Sequence, residues 1–161
     1  MSNQISDDFI GQRQRRIQNM QELRSLGINP FTPESKKDTS NKDIKDNFEK
    51  YKGKKVTLAG RLTGKREHGK LIFGDILDQT GSLQIAIKKD EIVEDLKNAY
   101  LGWTNLKLID IGDFVQITGI IDKTQQGEIT IFVTKFKLLT KSLRPLPITF
   151  DEKEQQFRRR Y

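Results

Sequence analysis

Residues 54–88, KKVTLAGRLTGKREHGKLIFGDILDQTGSLQIAIK, decide how this chain folds. Apolar residues alternate with polar ones through three successive runs, and a period of two marks strands buried on one face. In the first run, Lys55 to Thr63, the residues Val56, Leu58, Gly60 and Leu62 share a face. In the second, Lys70 to Leu77, Ile72, Gly74 and Ile76 do so. The third, Ser82 to Lys88, follows a Gln79-Thr80-Gly81 turn and turns Leu83, Ile85 and Ile87 inward. Between the first two, Lys65 to Lys70 reads as a glycine-flanked loop.

The pattern continues downstream. A helix is expected from Glu91 to Tyr100, acidic in its first turn, with Ile92, Leu96 and Ala99 inward. A fourth strand, Phe114 to Asp122, buries Val115, Ile117, Gly119 and Ile121. A fifth, Glu128 to Phe136, buries Ile129, Ile131 and Val133 after a Gln125-Gln126-Gly127 turn. Five short strands with one helix between the third and fourth is the element order of an OB-fold, a Greek-key barrel. The expected class is therefore mainly β with flanking helices.

Upstream the period is that of a helix. Ser6 suits an N-cap, with Asp7 and Asp8 in the first turn; Ile17, Met20, Leu23 and Leu26 form an apolar stripe, and Gly27 and Pro30 stop it. A second, short helix beginning near Ser40 puts Ile44, Phe48 and Tyr51 on one face. Beyond the barrel comes a proline-bearing linker, Arg144 to Pro147, and then Phe157-Arg158-Arg159-Arg160-Tyr161, which looks like the opening of a further helix. The division expected is a helical extension over 1–53, the barrel over 54–139, and a linker with the start of another domain over 140–161. On this reading the chain is a fragment, expected to be monomeric and cytoplasmic.

Composition narrows the chemistry. With 34% hydrophobic residues in 161, there is enough for one modest core. No run is long and apolar enough for a membrane span or a signal peptide, so no membrane association is expected. No cysteine is present and His68 is the single histidine, so neither disulfides nor a thiolate or imidazole metal site is expected. A phosphate-cradling glycine loop, paired zinc-binding histidines and a nucleophile elbow are all missing, and no catalytic residue is assigned. A net charge of +7 points to a polyanionic partner.

The alternation also says what faces outward. Arg61 lies on the first strand, Phe73 and Asp75 on the second, Gln84 and Lys88 on the third, and Glu128, Thr130 and Phe132 on the fifth. This set suits single-stranded RNA. The Phe73 ring offers a stacking surface. The Gln84 amide carries both donor and acceptor for a base edge, and the Arg61 guanidinium can take phosphate or fork onto a base. Glu128 only accepts, and so selects a base that presents a donor. Lys65, Arg66, His68 and Lys70 border the same cleft and are candidates for the RNA backbone. Each residue alone has a plainer reading, as a core ring or a solvated side chain; their convergence on one face makes the case.

Several segments resemble lysyl-tRNA synthetases, members of the class IIb aminoacyl-tRNA synthetases. Leu138-Leu139-Thr140-Lys141-Ser142-Leu143-Arg144-Pro145-Leu146-Pro147 is similar to the segment following their OB-fold. Arg15-Arg16 and Glu22 through Phe31 resemble their N-terminal helix and the turn after it; Ala59-Gly60-Arg61, Gly69-Lys70, Leu83-Gln84 and Thr124 to Glu128 fall in order between. Two stretches depart from the family: Ile148 to Gln156 is shorter, and Gly74-Asp75-Ile76-Leu77-Asp78 replaces a commoner pattern. The resemblance implies an anticodon-binding domain that reads the central uridine of tRNA(Lys). Phe73 would stack on that base, Gln84 and Arg61 would hold its edge, and Glu128 would touch a neighbouring base. It also implies a homodimeric parent enzyme that joins lysine to tRNA with ATP and Mg²⁺, whereas this chain alone would need no cofactor and would be inactive. The alternatives are a single-strand-binding OB-fold without base preference, the equivalent domain of an aspartyl or asparaginyl enzyme, and an OB-fold that contacts only protein.

Overall fold

The computed structural model describes residues 2–32 and 35–143, and for residues 2–9 only the helical course of the backbone. Strands β1 (Lys55–His68), β2 (Leu71–Asp78), β3 (Gly81–Lys88), β4 (Phe114–Lys123) and β5 (Ile129–Thr140) close into a barrel in the order β1-β2-β3-β5-β4. All neighbours are antiparallel except β3 and β5, which run parallel over Gln84–Ala86 and Thr130–Phe132. This is the expected OB topology. The inward residues read from the alternation line one core, in which Leu58, Ile76, Leu83, Ile117, Ile121 and Ile131 are fully buried.

β1 runs five residues past its expected end. The ladder with β2 slips between Leu62 and Gly64, so a β-bulge carries the strand on to His68 and leaves only Gly69 and Lys70 as the turn. A bulge reverses the inside–outside alternation beyond it. Glycine is needed where the two strands press together there. A Cβ on Gly74 would sit 2.4 Å from the Gly64 carbonyl oxygen, whereas one on Gly64 would meet only the movable end of the Asp75 side chain, at 2.7 Å.

The segment between β3 and β4 differs from the helix expected over 91–100. Two 3₁₀ turns, Leu96–Asn98 and Trp103–Leu108, take its place. The backbone there divides its bonds between local turns, such as the reciprocal pair Asp95–Tyr100, and β5, to which Val93 N–H donates at Thr134 and Leu101 N–H at Phe136. Ala99, at φ 66°, ends the first turn. Ile92, Leu96 and Ala99 still pack against the core, as their spacing required.

Helix α1 (Ser2–Ser25) begins before Ser6, which lies inside it. It ends as expected: Gly27 takes φ +84°, and Ile28 N–H bonds back to Leu23. Leu23 and Ile28 reach the core. Ser40 caps α2 (Asn41–Asp46) by accepting from Asp43 N–H at 3.1 Å, and α3 (Phe48–Tyr51) follows. Asn41, almost wholly buried, donates to the carbonyls of Ile76 and Gly81, fixing α2 beneath the β2–β3 turn. The linker and helix opening expected after Leu143 lie outside the described residues.

Where the last strand leaves the barrel, the polar interior is tied together. Lys141 is buried and donates to the Leu108 carbonyl at 2.9 Å, to Asp110 at 2.5 Å and to Asp113 at 2.6 Å. Arg16 of α1 donates to the carbonyls of Ile111 and Ser142, and Asn19 donates to Asp110. Burial pushes the Asp113 carboxyl up, and the Lys141 ammonium offsets only part of that. Asp110 is also disfavoured by burial, yet its bond to Lys141 holds it below the usual aspartate value.

Candidate nucleic-acid interface

Directly paired residues on neighbouring strands point to the same face of a sheet, so the register assembles the outer surface row by row. One row runs Arg66 (β1), Phe73 (β2), Ala86 (β3), Phe132 (β5) and Ile120 (β4). The next runs Asp75, Gln84, Thr130 and Asp122. Phe73 and Gln84 are therefore diagonal neighbours, with Cβ atoms about 7 Å apart, within reach of one base. Both side chains are half-buried: held by the sheet, yet open to a ligand.

Arg61 stands elsewhere. It pairs with Leu77, four residues along β2 from Phe73, or about 13 Å at the usual strand rise. Its guanidinium lies 4.7 Å over the Phe114 ring, on the β4 side. The cation beside Phe73 is Arg66. Lys65, expected on the surface, points into the barrel, because the bulge reverses its side of the strand. Its ammonium donates to the Leu106 carbonyl at 2.6 Å and the Ile109 carbonyl at 3.0 Å, closing the C-terminal end of the second 3₁₀ turn. Burial lowers the Lys65 pKa, opposed by the nearby Asp110 carboxylate. The surface role expected for Lys65 is thereby corrected to a structural one.

His68 and Lys70 are exposed at the tip of the β1–β2 hairpin. Arg66, Lys70, Lys88 and Lys89 gather at that end of the sheet, with the Lys89 N–H bonded to the Lys70 carbonyl. Asp90 and Glu91 lie among these cations, with Glu91 3.9 Å from Lys88, and toward the opposite end stand Asp75, Asp122 and Glu128. Glu128 is exposed two residues ahead of Thr130, in a turn closed by Thr124 N–H donating to the Glu128 carbonyl. Cations of this kind can take phosphates, and carboxylates of this kind accept from N–H groups.

The alternation turns Lys88 and Phe132 outward without giving them a part; the register adds both to the face, with Lys88 Nζ 5.4 Å from the Phe132 ring centre. Among the described residues no group of three or more acidic, histidine or cysteine side chains is placed to hold a metal ion, and no helix is long and apolar enough to cross a membrane.

Residues 56–139 match the tRNA anticodon family model, described as an OB-fold nucleic acid binding domain. Among curated relatives, the chain is 41% identical over 158 residues to a lysine–tRNA ligase of Clostridium novyi (strain NT), covering 96% of this chain and 30% of the relative. It is 44% identical over 143 residues to a lysine–tRNA ligase of Thermoanaerobacter pseudethanolicus, covering 86% and 28% respectively. A third, from Clostridium botulinum (strain Langeland), is 41% identical over 150 residues, covering 91% and 29%. The chain thus spans about 30% of the length of these relatives.

Proposed function

The chain belongs to the OB-fold nucleic acid binding domain family of the tRNA anticodon type, and from that premise we propose that it is the anticodon-reading part of a lysine–tRNA ligase. The ligand is the anticodon loop of tRNA(Lys), and the central uridine is the base it reads. The observation that carries this reading is the placing of Phe73, Gln84 and Arg66 on adjoining positions of one outward face. The Phe73 ring stacks on the uracil, which removes a base from water without regard to its identity. Identity comes from Gln84, whose amide matches the donor and acceptor of a uracil edge. Arg66 takes the phosphate or the base beside it, the part first given to Arg61. Glu128, an acceptor at the far end, receives a donor from a neighbouring base and repels a misplaced phosphate.

The whole protein, on this proposal, is a homodimer that activates lysine with ATP and Mg²⁺ and transfers it to tRNA(Lys), with the catalytic groups outside these 161 residues. The chain supplies recognition: residues 54–139 hold the loop, and residues 1–53 brace the barrel.

The test is binding of the chain to an anticodon stem-loop carrying UUU and to one carrying UCU, at two salt concentrations. Tighter binding of UUU, with a marked loss of affinity at the higher salt, supports the reading. Equal binding replaces it with an unselective single-strand binder, and no binding at low salt overturns both.

A further inference from the structure

The row that holds Phe73 contains a second ring. Phe73 pairs with Ala86 on β3, and Ala86 pairs with Phe132 on β5, so the two phenylalanines flank a single methyl group on the outer face. Ala86 points outward yet is only 1% exposed, so its neighbours close over it and the surface between the rings is continuous. Two strand spacings, about 9.6 Å, separate the backbones that carry the rings. Phe132 is half-buried and keeps part of its surface open. Lys88 holds its ammonium 5.4 Å from the Phe132 ring centre. Ile120 continues the apolar strip on the far side of Phe132, and Arg66 ends it beside Phe73.

A lone outward phenylalanine on a strand is commonly a cover for the core. Here the ring is side by side with another across an alanine, and the ammonium near it, Lys88, is shared with the exposed Glu91 carboxylate at 3.9 Å. Single-strand binders place aromatic rings so that successive bases stack on successive rings, with a cation following the backbone. We propose that Phe132 is a second stacking platform, which takes the anticodon-loop nucleotide next to the one on Phe73, with Lys88 as the cation for its phosphate. This rests on the anticodon reading above and adds to it a subsite for a particular neighbour.

The experiment compares the 161-residue chain with Phe132→Ala, Phe132→Leu and Phe132→Tyr, and with Phe73→Ala, on the UUU stem-loop. Two further hairpins each carry an abasic site in place of one nucleotide flanking the central uridine. Phe132→Ala and Phe132→Leu are expected to weaken the intact hairpin roughly 5- to 150-fold, the loss of one base–ring stack, and Phe132→Tyr to bind as the parent does. One abasic hairpin is expected to bind the parent chain with the same loss, and to lose nothing more when Phe132 is replaced. Phe132→Leu keeps apolar cover over the sheet, so it decides the matter if the alanine variant fails to fold. Unchanged affinity in Phe132→Leu, or an equal loss on all three hairpins, overturns the proposal. If Phe73→Ala weakens binding while Phe132→Leu does not, the second platform falls and the anticodon reading stands. If the parent chain does not bind the intact hairpin, both fall.

Discussion

Arg66 stands directly opposite Phe73 in the β1–β2 ladder, while Arg61 stands opposite Leu77 with its guanidinium 4.7 Å over Phe114. The two arginines are therefore not equivalent toward RNA. Arg66→Ala is expected to weaken binding of the UUU stem-loop and to reduce the salt slope of log K by about one phosphate contact, or about 0.7 for a single strand. Arg61→Ala should leave that slope unchanged. Binding isotherms at three salt concentrations compare them, and the reverse order would return Arg61 to the site.

Phe73→Ala removes the ring and should cost about 1–3 kcal/mol of affinity for every hairpin, whichever base is central. Phe73→Tyr keeps the ring and should retain most of the affinity. A loss confined to the UUU hairpin would show that Phe73 does more than stack.

Gln84→Leu has a different signature. On the proposed reading the amide distinguishes bases, so the variant should lose about 1–2 kcal/mol of the preference for UUU over UCU while keeping the salt slope. The ratio of the two dissociation constants is the readout.

Lys141→Met is a stability prediction. The change leaves the Asp113 carboxylate buried with its cation removed, and Asp110 with it. Breaking a buried pair from one side costs about 3–5 kcal/mol. Urea unfolding should show a loss of that size. Adding Asp113→Asn should recover part of it, because the uncompensated charge is gone.

Acid stability follows from the aspartates. Asp78 is disfavoured by burial, but it accepts from Thr80 and Asn41 and pairs with Lys37 at 3.0 Å, and the sum holds its carboxyl below the usual 3.8. Asp110 is also lowered. The unfolded chain then binds more protons than the folded one, so the stability these groups contribute is complete above about pH 4 and is lost as pH falls below it. Asp113, raised by burial, works in the opposite sense and is relieved by acid. Asp78→Asn should cost about 1–3 kcal/mol at pH 6 and flatten the decline toward pH 3, as followed by urea midpoints.

The barrel was legible because apolar residues recur at a period of two along most of each strand, although β5 also breaks step between Val133 and Lys135 and turns Phe136 into the core. The outward position of Phe73 and Gln84 came from the same parity. Parity failed after Thr63, where an extra residue enters β1 and sends Lys65 inward and Arg66 outward. Gly64 in mid-strand carried the only local hint, since a glycine inside a strand often marks a bulge. The helix expected over 91–100 had the right apolar spacing, but the stretch is pinned to β5 through Val93 N–H and the neighbouring Leu101 N–H, which no local pattern records. Lys141 falls in the stretch 140–161 assigned to the linker and the start of another domain. Its burial depends on Asp110 and Asp113, some thirty residues back, brought near only by the closed barrel.

The parallel seam between Gln84–Ala86 and Thr130–Phe132 has a kinetic consequence. β1, β2 and β3 are joined by tight turns and can zip locally, but β3 and β5 meet only after the intervening chain has been gathered in, the slow kind of contact. Phe73 and Gln84 belong to the early meander, and Thr130 and Phe132 to the late partner. A refolding chain would therefore gain β-structure before it gains the intact outer face proposed to take RNA, and a fluorescent hairpin added during refolding would time the closing of that seam.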